Sequence, residues 1–100
     1  MNPRLNLDET TLARFCERHH IRRLSLFGSQ LKGTALPDSD IDLLVEFEPG
    51  RVPGLLALSS MELGLSELLG GRRVDLRTAE DLSRYFRDEV VHTAEVQYAR

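Results

Sequence analysis

Gly28-Ser29, separated by ten residues from Asp40-Ile41-Asp42, constrains this chain more than any other feature. The stretch from Phe27 to Val45 reads as a strand, a tight turn that opens a helix, a loop and a second strand. Glycine lets the backbone approach a phosphate closely. The Ser29 hydroxyl and the amides of the helix start can donate to its oxygens. Lys32 adds a positive charge nearby. On the second strand Asp40 and Asp42 are two residues apart, so their carboxylates stand side by side, with Cα atoms about 6.6–7 Å apart.

Two bare carboxylates about 5 Å apart repel by roughly 3 kcal/mol at an effective dielectric near 20. One stays protonated unless a cation bridges them. Mg²⁺ takes oxygen ligands, keeps several waters and pairs one or two carboxylates with phosphate oxygens. A third acid from another strand, Asp75, can complete a two-metal site. There one ion activates the attacking oxygen and the other holds a triphosphate and its leaving group.

Hydrophobic periodicity supplies the frame. Asp8 is a good N-cap, and Leu12, Phe15, Cys16 and His19 recur on one face, which predicts a helix over about 8–19. Ile21 to Phe27 predicts a strand ending at Gly28. Asp40 to about Phe47 alternates cleanly, with Ile41, Leu43, Val45 and Phe47 on one side and Asp40, Asp42 and Glu46 on the other. From Pro53 to Leu69, Leu58, Met61, Leu65 and Leu68 recur at helical spacing, and Gly70-Gly71 stop the helix. Arg73 to Arg77 is a third strand, Thr78 caps a short helix, and a further helix covers about 83–92. Glu95 to Tyr98 either frays or adds a small edge strand. The expected fold class is α+β (α/β): a short mixed sheet with helices packed on one face and an acidic site on the other.

Composition narrows the classes. The sequence predicts one domain spanning residues 1–100, and 41% apolar residues suffice for its core. No apolar run approaches the roughly 18 residues that span a membrane. The N-terminal residues lack a charged-then-apolar signal pattern, so a cytoplasmic protein is expected. A formal charge of −3 argues against stable nucleic-acid binding. Twelve of the thirteen basic residues are Arg, several in pairs such as Arg22-Arg23 and Arg72-Arg73, read mainly as solvated charges at strand ends.

Competing readings of the same residues are weaker. Asp38-x-Asp40-x-Asp42 matches the opening of a calcium loop, but its sixth position is Leu43 rather than Gly and its twelfth is Pro49 rather than Glu. An Asp/Ser-rich turn capping an edge strand leaves Asp42 and Asp75 unexplained. Cys16, the single cysteine, excludes an intrachain disulfide and a cysteine-rich zinc site. His19 and His20 beside it read as a helix C-terminus. The leucines of 55–69 read as core, with a surplus (Leu55, Leu56, Leu63, Leu69) available to a partner. Tyr85 and Tyr98 read as packing residues rather than as self-modification acceptors.

Gly28-Ser29, Asp40-x-Asp42 and Asp75 within Gly71-Arg72-Arg73-Val74-Asp75-Leu76 resemble the nucleotidyltransferase superfamily that includes DNA polymerase β and kanamycin nucleotidyltransferase. The likeness is strongest to the minimal nucleotidyltransferase (MNT) proteins, the antitoxin halves of HEPN/MNT toxin–antitoxin pairs. It runs over roughly residues 8–98, including Leu63-Gly64-Leu65-Ser66-Glu67-Leu68-Leu69. The resemblance implies the polymerase β-like nucleotidyltransferase fold. It also implies that Asp40 and Asp42 bind two Mg²⁺ ions, that Asp75 completes the site and acts as base toward the acceptor hydroxyl, and that Gly28, Ser29 and Lys32 hold phosphate. Family members often carry Ala-Arg-Gly where this chain has Leu31-Lys32-Gly33, which keeps a charge but loses the planar fork.

The implied activity is transfer of AMP from ATP to a tyrosine hydroxyl of a HEPN-domain RNase toxin, which silences it. Two alternatives stand beside it: an antitoxin that blocks its toxin by contact alone, and a nucleotidyltransferase acting on a small molecule. A contact-only inhibitor has no use for a self-repelling acidic face. The expected partners are therefore a HEPN toxin and ATP, with neither a membrane nor stably bound nucleic acid.

Overall fold

The computed structural model describes residues 7–28, 40–85 and 87–100. The first helix, α1 (Glu9–Arg18), begins at Asp8, whose carboxylate accepts from the backbone N–H of Thr11 at 3.1 Å and from its hydroxyl at 2.9 Å. These bonds satisfy a donor that the first helical turn leaves free. Leu12 and Cys16 are buried, Phe15 packs against the core, and the His19 ring lies 4.5 Å from that of Phe15. His20, with φ of 59°, turns the chain into the sheet.

Four strands follow: β1 (Ile21–Phe27), β2 (Ile41–Phe47), β3 (Val74–Arg77) and β4 (Glu95–Ala99), in the order β3-β2-β1-β4. β1 is antiparallel to both β2 and β4, whereas β2 and β3 run parallel. A register shift between Ile21 and Arg23 lets Ile21, Leu24 and Leu26 all reach the core. In β2, Ile41, Leu43, Val45 and Phe47 are buried, as alternation predicts. The C-terminal residues do not fray. They form an edge strand whose end is tied down by Arg100, through its N–H to the Arg22 carbonyl (2.9 Å) and its guanidinium to Glu48 (2.7 Å).

Helix α2 (Leu55–Leu68) sets Met61 and Leu65 into the core, and Gly70 and Gly71, with φ of 77° and 88°, end it in the left-handed region. Leu68 departs from its expected core position and is 40% exposed, while Leu69 packs against the core instead. The helix closes at Leu68, so the 3.6-residue period no longer places the next side chain. After β3, a 3₁₀ turn (Ala79–Asp81) starts at Thr78, whose N–H and hydroxyl both donate to Asp81. Helix α3 (Arg87–Thr93) is shorter than the predicted 83–92 segment and buries none of its residues.

The sheet therefore has two unlike faces. Leu12 and Cys16 of α1 and Met61 and Leu65 of α2 join Leu24, Leu26, Leu43, Val45, Val74 and Leu76 in one apolar cluster. The other face carries Asp42, Leu44 and Glu46 of β2 and Asp75 and Arg77 of β3. Among the described residues no helix is long and apolar enough to cross a membrane.

Candidate active site

The parallel pairing of β2 and β3 sets Asp42 opposite Asp75. Residues opposite one another in adjacent strands point to the same side of the sheet, with backbones about 4.8 Å apart. On its other flank Asp42 pairs with Phe27, the last residue of β1. Gly28 follows with φ of 81°, and a β-carbon there would collide with Asp42 Oδ2. Glycine is thus required twice, by the left-handed backbone and by the carboxylate lying against it.

Burial raises the Asp42 carboxyl above its ordinary value, and the neighbouring charges of Asp75 and Asp40 raise it further, while Arg77 opposes them. Asp40 stands at the mouth of β2, just before Ile41, whose N–H bonds the Arg73 carbonyl at 2.8 Å. Asp40 and Asp75 line an open cleft of about 610 Å³ with Ser59, Glu62, Ser66 and Arg73. Ser29 and Lys32, singled out for phosphate, lie outside the described residues.

Two residues that sequence reasoning passed over support this centre. Arg77 donates from Nε at 3.2 Å and from a terminal nitrogen at 3.1 Å, both to Asp75 Oδ2. Its position two residues beyond Asp75 on a strand was the available signal, since i and i+2 share a face. Glu62 of α2 accepts the N–H of Leu76 at 2.7 Å on the free edge of β3. No local pattern announces that bond, because it depends on how α2 packs.

The donor set fits a hard divalent cation: the candidate ligands are carboxylate oxygens, and two of them crowd together at a cost that a cation offsets. Among the described residues no three His, Cys, Asp or Glu side chains lie together as a group that could hold a metal ion. Mg²⁺ commonly takes one or two carboxylates and completes its shell with water and phosphate oxygens.

The remaining candidates have other tasks. Cys16 is fully buried, and burial pushes its thiol up to about 12. His20 faces Glu48 at 3.7 Å, and Arg22 and Arg23 flank Glu46 at 3.6 and 4.0 Å. Tyr98 packs against the core as predicted, but Tyr85 is 85% exposed with the Arg84 guanidinium over its ring. Leu55, Leu56 and Leu63 of α2 are exposed with Val52, so this surplus lies on the surface, without Leu69. On the acidic face, beyond Asp42, a cavity of about 620 Å³ is lined by Ser25, Leu44, Val91, Ala94 and Val96.

Residues 9–96 match the nucleotidyltransferase domain family. Over 60 residues the chain is 47% identical to the protein adenylyltransferase MntA of Thermococcus cleftensis, covering 60% of this chain and 58% of that protein. A candidate protein adenylyltransferase of Methanocaldococcus jannaschii is 35% identical over 77 residues, 77% of this chain and 80% of that one. Among solved structures, a candidate minimal nucleotidyltransferase superposes with a TM-score of 0.64 at 41% identity, covering 89% of this chain and 95% of that one. A toxin–antitoxin complex with AMP-PNP contains a chain that shares the fold, with a TM-score of 0.74 at 23% identity over 94% of this chain and 75% of that one. With the match extending over nearly every described element, this chain belongs to the nucleotidyltransferase domain family.

Proposed function

We propose that this protein is a Mg²⁺-dependent adenylyltransferase that moves AMP from ATP to a tyrosine hydroxyl of a HEPN-type RNase toxin and so acts as its antitoxin. The observation that carries the reading is the register of β2 on β3, with Asp42 against Asp75 and Gly28 closing the other flank. A pair of crowded acids costs stability, and a cation that arrives with substrate offsets that cost. The relatives point the same way: the Thermococcus protein is a protein adenylyltransferase, and the AMP-PNP complex is a toxin–antitoxin pair.

In this reading the tyrosine oxygen bonds to the α-phosphorus of ATP as the bond to the bridging oxygen breaks, and pyrophosphate leaves. The Asp75 carboxylate takes the hydroxyl proton. Asp40, Asp42 and Asp75 are the residues that would hold Mg²⁺, which supplies positive charge where the phosphate oxygens and leaving group gather it. Gly28, Ser29 and Lys32 hold the phosphates, Gly28 by letting the backbone come close. Catalysis is then chiefly positioning and electrostatics. The exposed Leu55, Leu56 and Leu63 offer a protein partner an apolar surface, which suits a macromolecular acceptor.

The test is intact mass spectrometry of the HEPN partner after incubation with this protein, ATP and Mg²⁺, with Asp42→Asn as control. A gain of one or more AMP units, absent with the variant, is expected. A stable complex without mass gain would instead favour an antitoxin that acts by contact alone.

A further inference from the structure

Arg77 is in direct contact with Asp75 of the acidic pair, and the proposed chemistry leaves it without a task. It stands on the same face of β3 as Asp75, and two of its nitrogens converge on the single oxygen Oδ2. Its charge also acts on Asp42. A guanidinium stays protonated at any working pH, so this positive charge is permanent. A cation of the protein's own therefore stands beside Asp75.

The two N–H donors compete with a divalent ion for the lone pairs of Oδ2, and a fixed positive charge at this distance repels that ion. A second carboxylate, Asp81 in the 3₁₀ turn that follows β3, also acts on the Arg77 charge, while one of its oxygens accepts from Thr78. The ion pair with Asp75 is half exposed, so exchange between the two carboxylates does not require the core to open.

We propose that Arg77 is a positioning residue that serves as a built-in counter-cation. It holds Asp75 Oδ2 in a metal-free resting arrangement and so weakens the binding of a divalent metal at the acidic pair. The inference rests on the metal-dependent reading given above, but not on AMP transfer or on the identity of the acceptor.

The test is a calorimetric titration with Mn²⁺, without nucleotide, of the full chain and of Arg77→Ala, Arg77→Lys, Asp75→Asn and the Arg77→Ala/Asp75→Asn double variant. Removing the guanidinium should tighten Mn²⁺ binding by about three- to tenfold, the scale of one nearby charge partly screened by water. Lysine, which restores the charge, should return affinity toward that of the parent. In the Asp75→Asn background the effect of Arg77→Ala should shrink, because a neutral amide oxygen holds the guanidinium beside the pair less firmly than a carboxylate does. Unchanged or weaker binding by Arg77→Ala overturns the proposal, as does an Arg77 effect that survives intact in Asp75→Asn, since that would be a general field rather than a contact. AMP transfer is read separately by mass: its absence alongside tighter Mn²⁺ binding would fault the function and not the counter-cation.

Discussion

Gly28 lies against the Asp42 carboxylate, and its backbone sits in the left-handed region at φ of 81°. The end of β1 and the acid of β2 thus interlock with no room for a side chain between them. Gly28→Ala should cost about 1–2 kcal/mol from the left-handed backbone alone, before any displacement of Asp42. Thermal unfolding should show a fall of several degrees in Tm. AMP transfer should fall further than that stability loss explains, because the carboxylate is pushed from its place. A variant with parental Tm and parental transfer would remove the interlock from the account.

Asp42 illustrates a trade between stability and chemistry. Burial and the charges of Asp75 and Asp40 all disfavour its ionised form. Asp42→Asn, nearly isosteric and uncharged, should therefore raise the Tm of the metal-free protein at neutral pH while abolishing transfer. Calorimetry in the presence of a chelator checks the first half. A lower Tm would mean that the Asp42 charge is satisfied within the fold.

Glu62 guards the open side of β3 by accepting the Leu76 N–H. Edge strands with free amides invite unwanted pairing, and this carboxylate closes one such donor beside Asp75. Hydrogen bonds to charged groups contribute about 1.5–3 kcal/mol, so Glu62→Ala should destabilise by an amount in that range. Glu62→Gln should recover part of it, because its amide oxygen can still accept. Urea unfolding of both variants measures the difference.

His19 gives the fold a mild sensitivity to acid. Burial, then the charges of Arg18 and His20, lower its pKa from the ordinary 6.5. A folded value below the unfolded one means that its contribution to stability is present above pH 6.5 and is lost as pH falls through the folded value. Tm should decline gently on acidification from pH 6.5 down to the folded value, and His19→Gln should flatten this part of the profile.

Much of the architecture is readable along the chain. Asp8 followed by Leu12, Phe15 and Cys16 announces α1 with its cap, because capping and the 3.6-residue period act over neighbouring residues. The alternation through β2 announces which side is buried, and the glycine pair announces the end of α2. Glu95 to Tyr98 was ambiguous for a physical reason. An edge strand pairs on one side only and is partly exposed, so its residues carry a weak burial pattern of their own. The interchange of Leu68 and Leu69 was hidden too, since it depends on where the helix stops.

For the site, the sequence by itself determined that Gly28 ends a strand and that Asp42 lies on the side of another opposite its apolar residues, because backbone geometry fixes such relations within a few residues. Asp40, expected on that strand, stands just before it. Only the tertiary structure decided that Asp42 meets Asp75 rather than a neighbour one step away, since the register of a parallel pair is set by packing Ile41, Leu43, Val74 and Leu76 into one core. The same packing brought Glu62 of α2 onto the edge of β3, and it brought Arg77, paired within its own strand to Asp75, within reach of Asp42. Those relations cross between elements, and no local period encodes them.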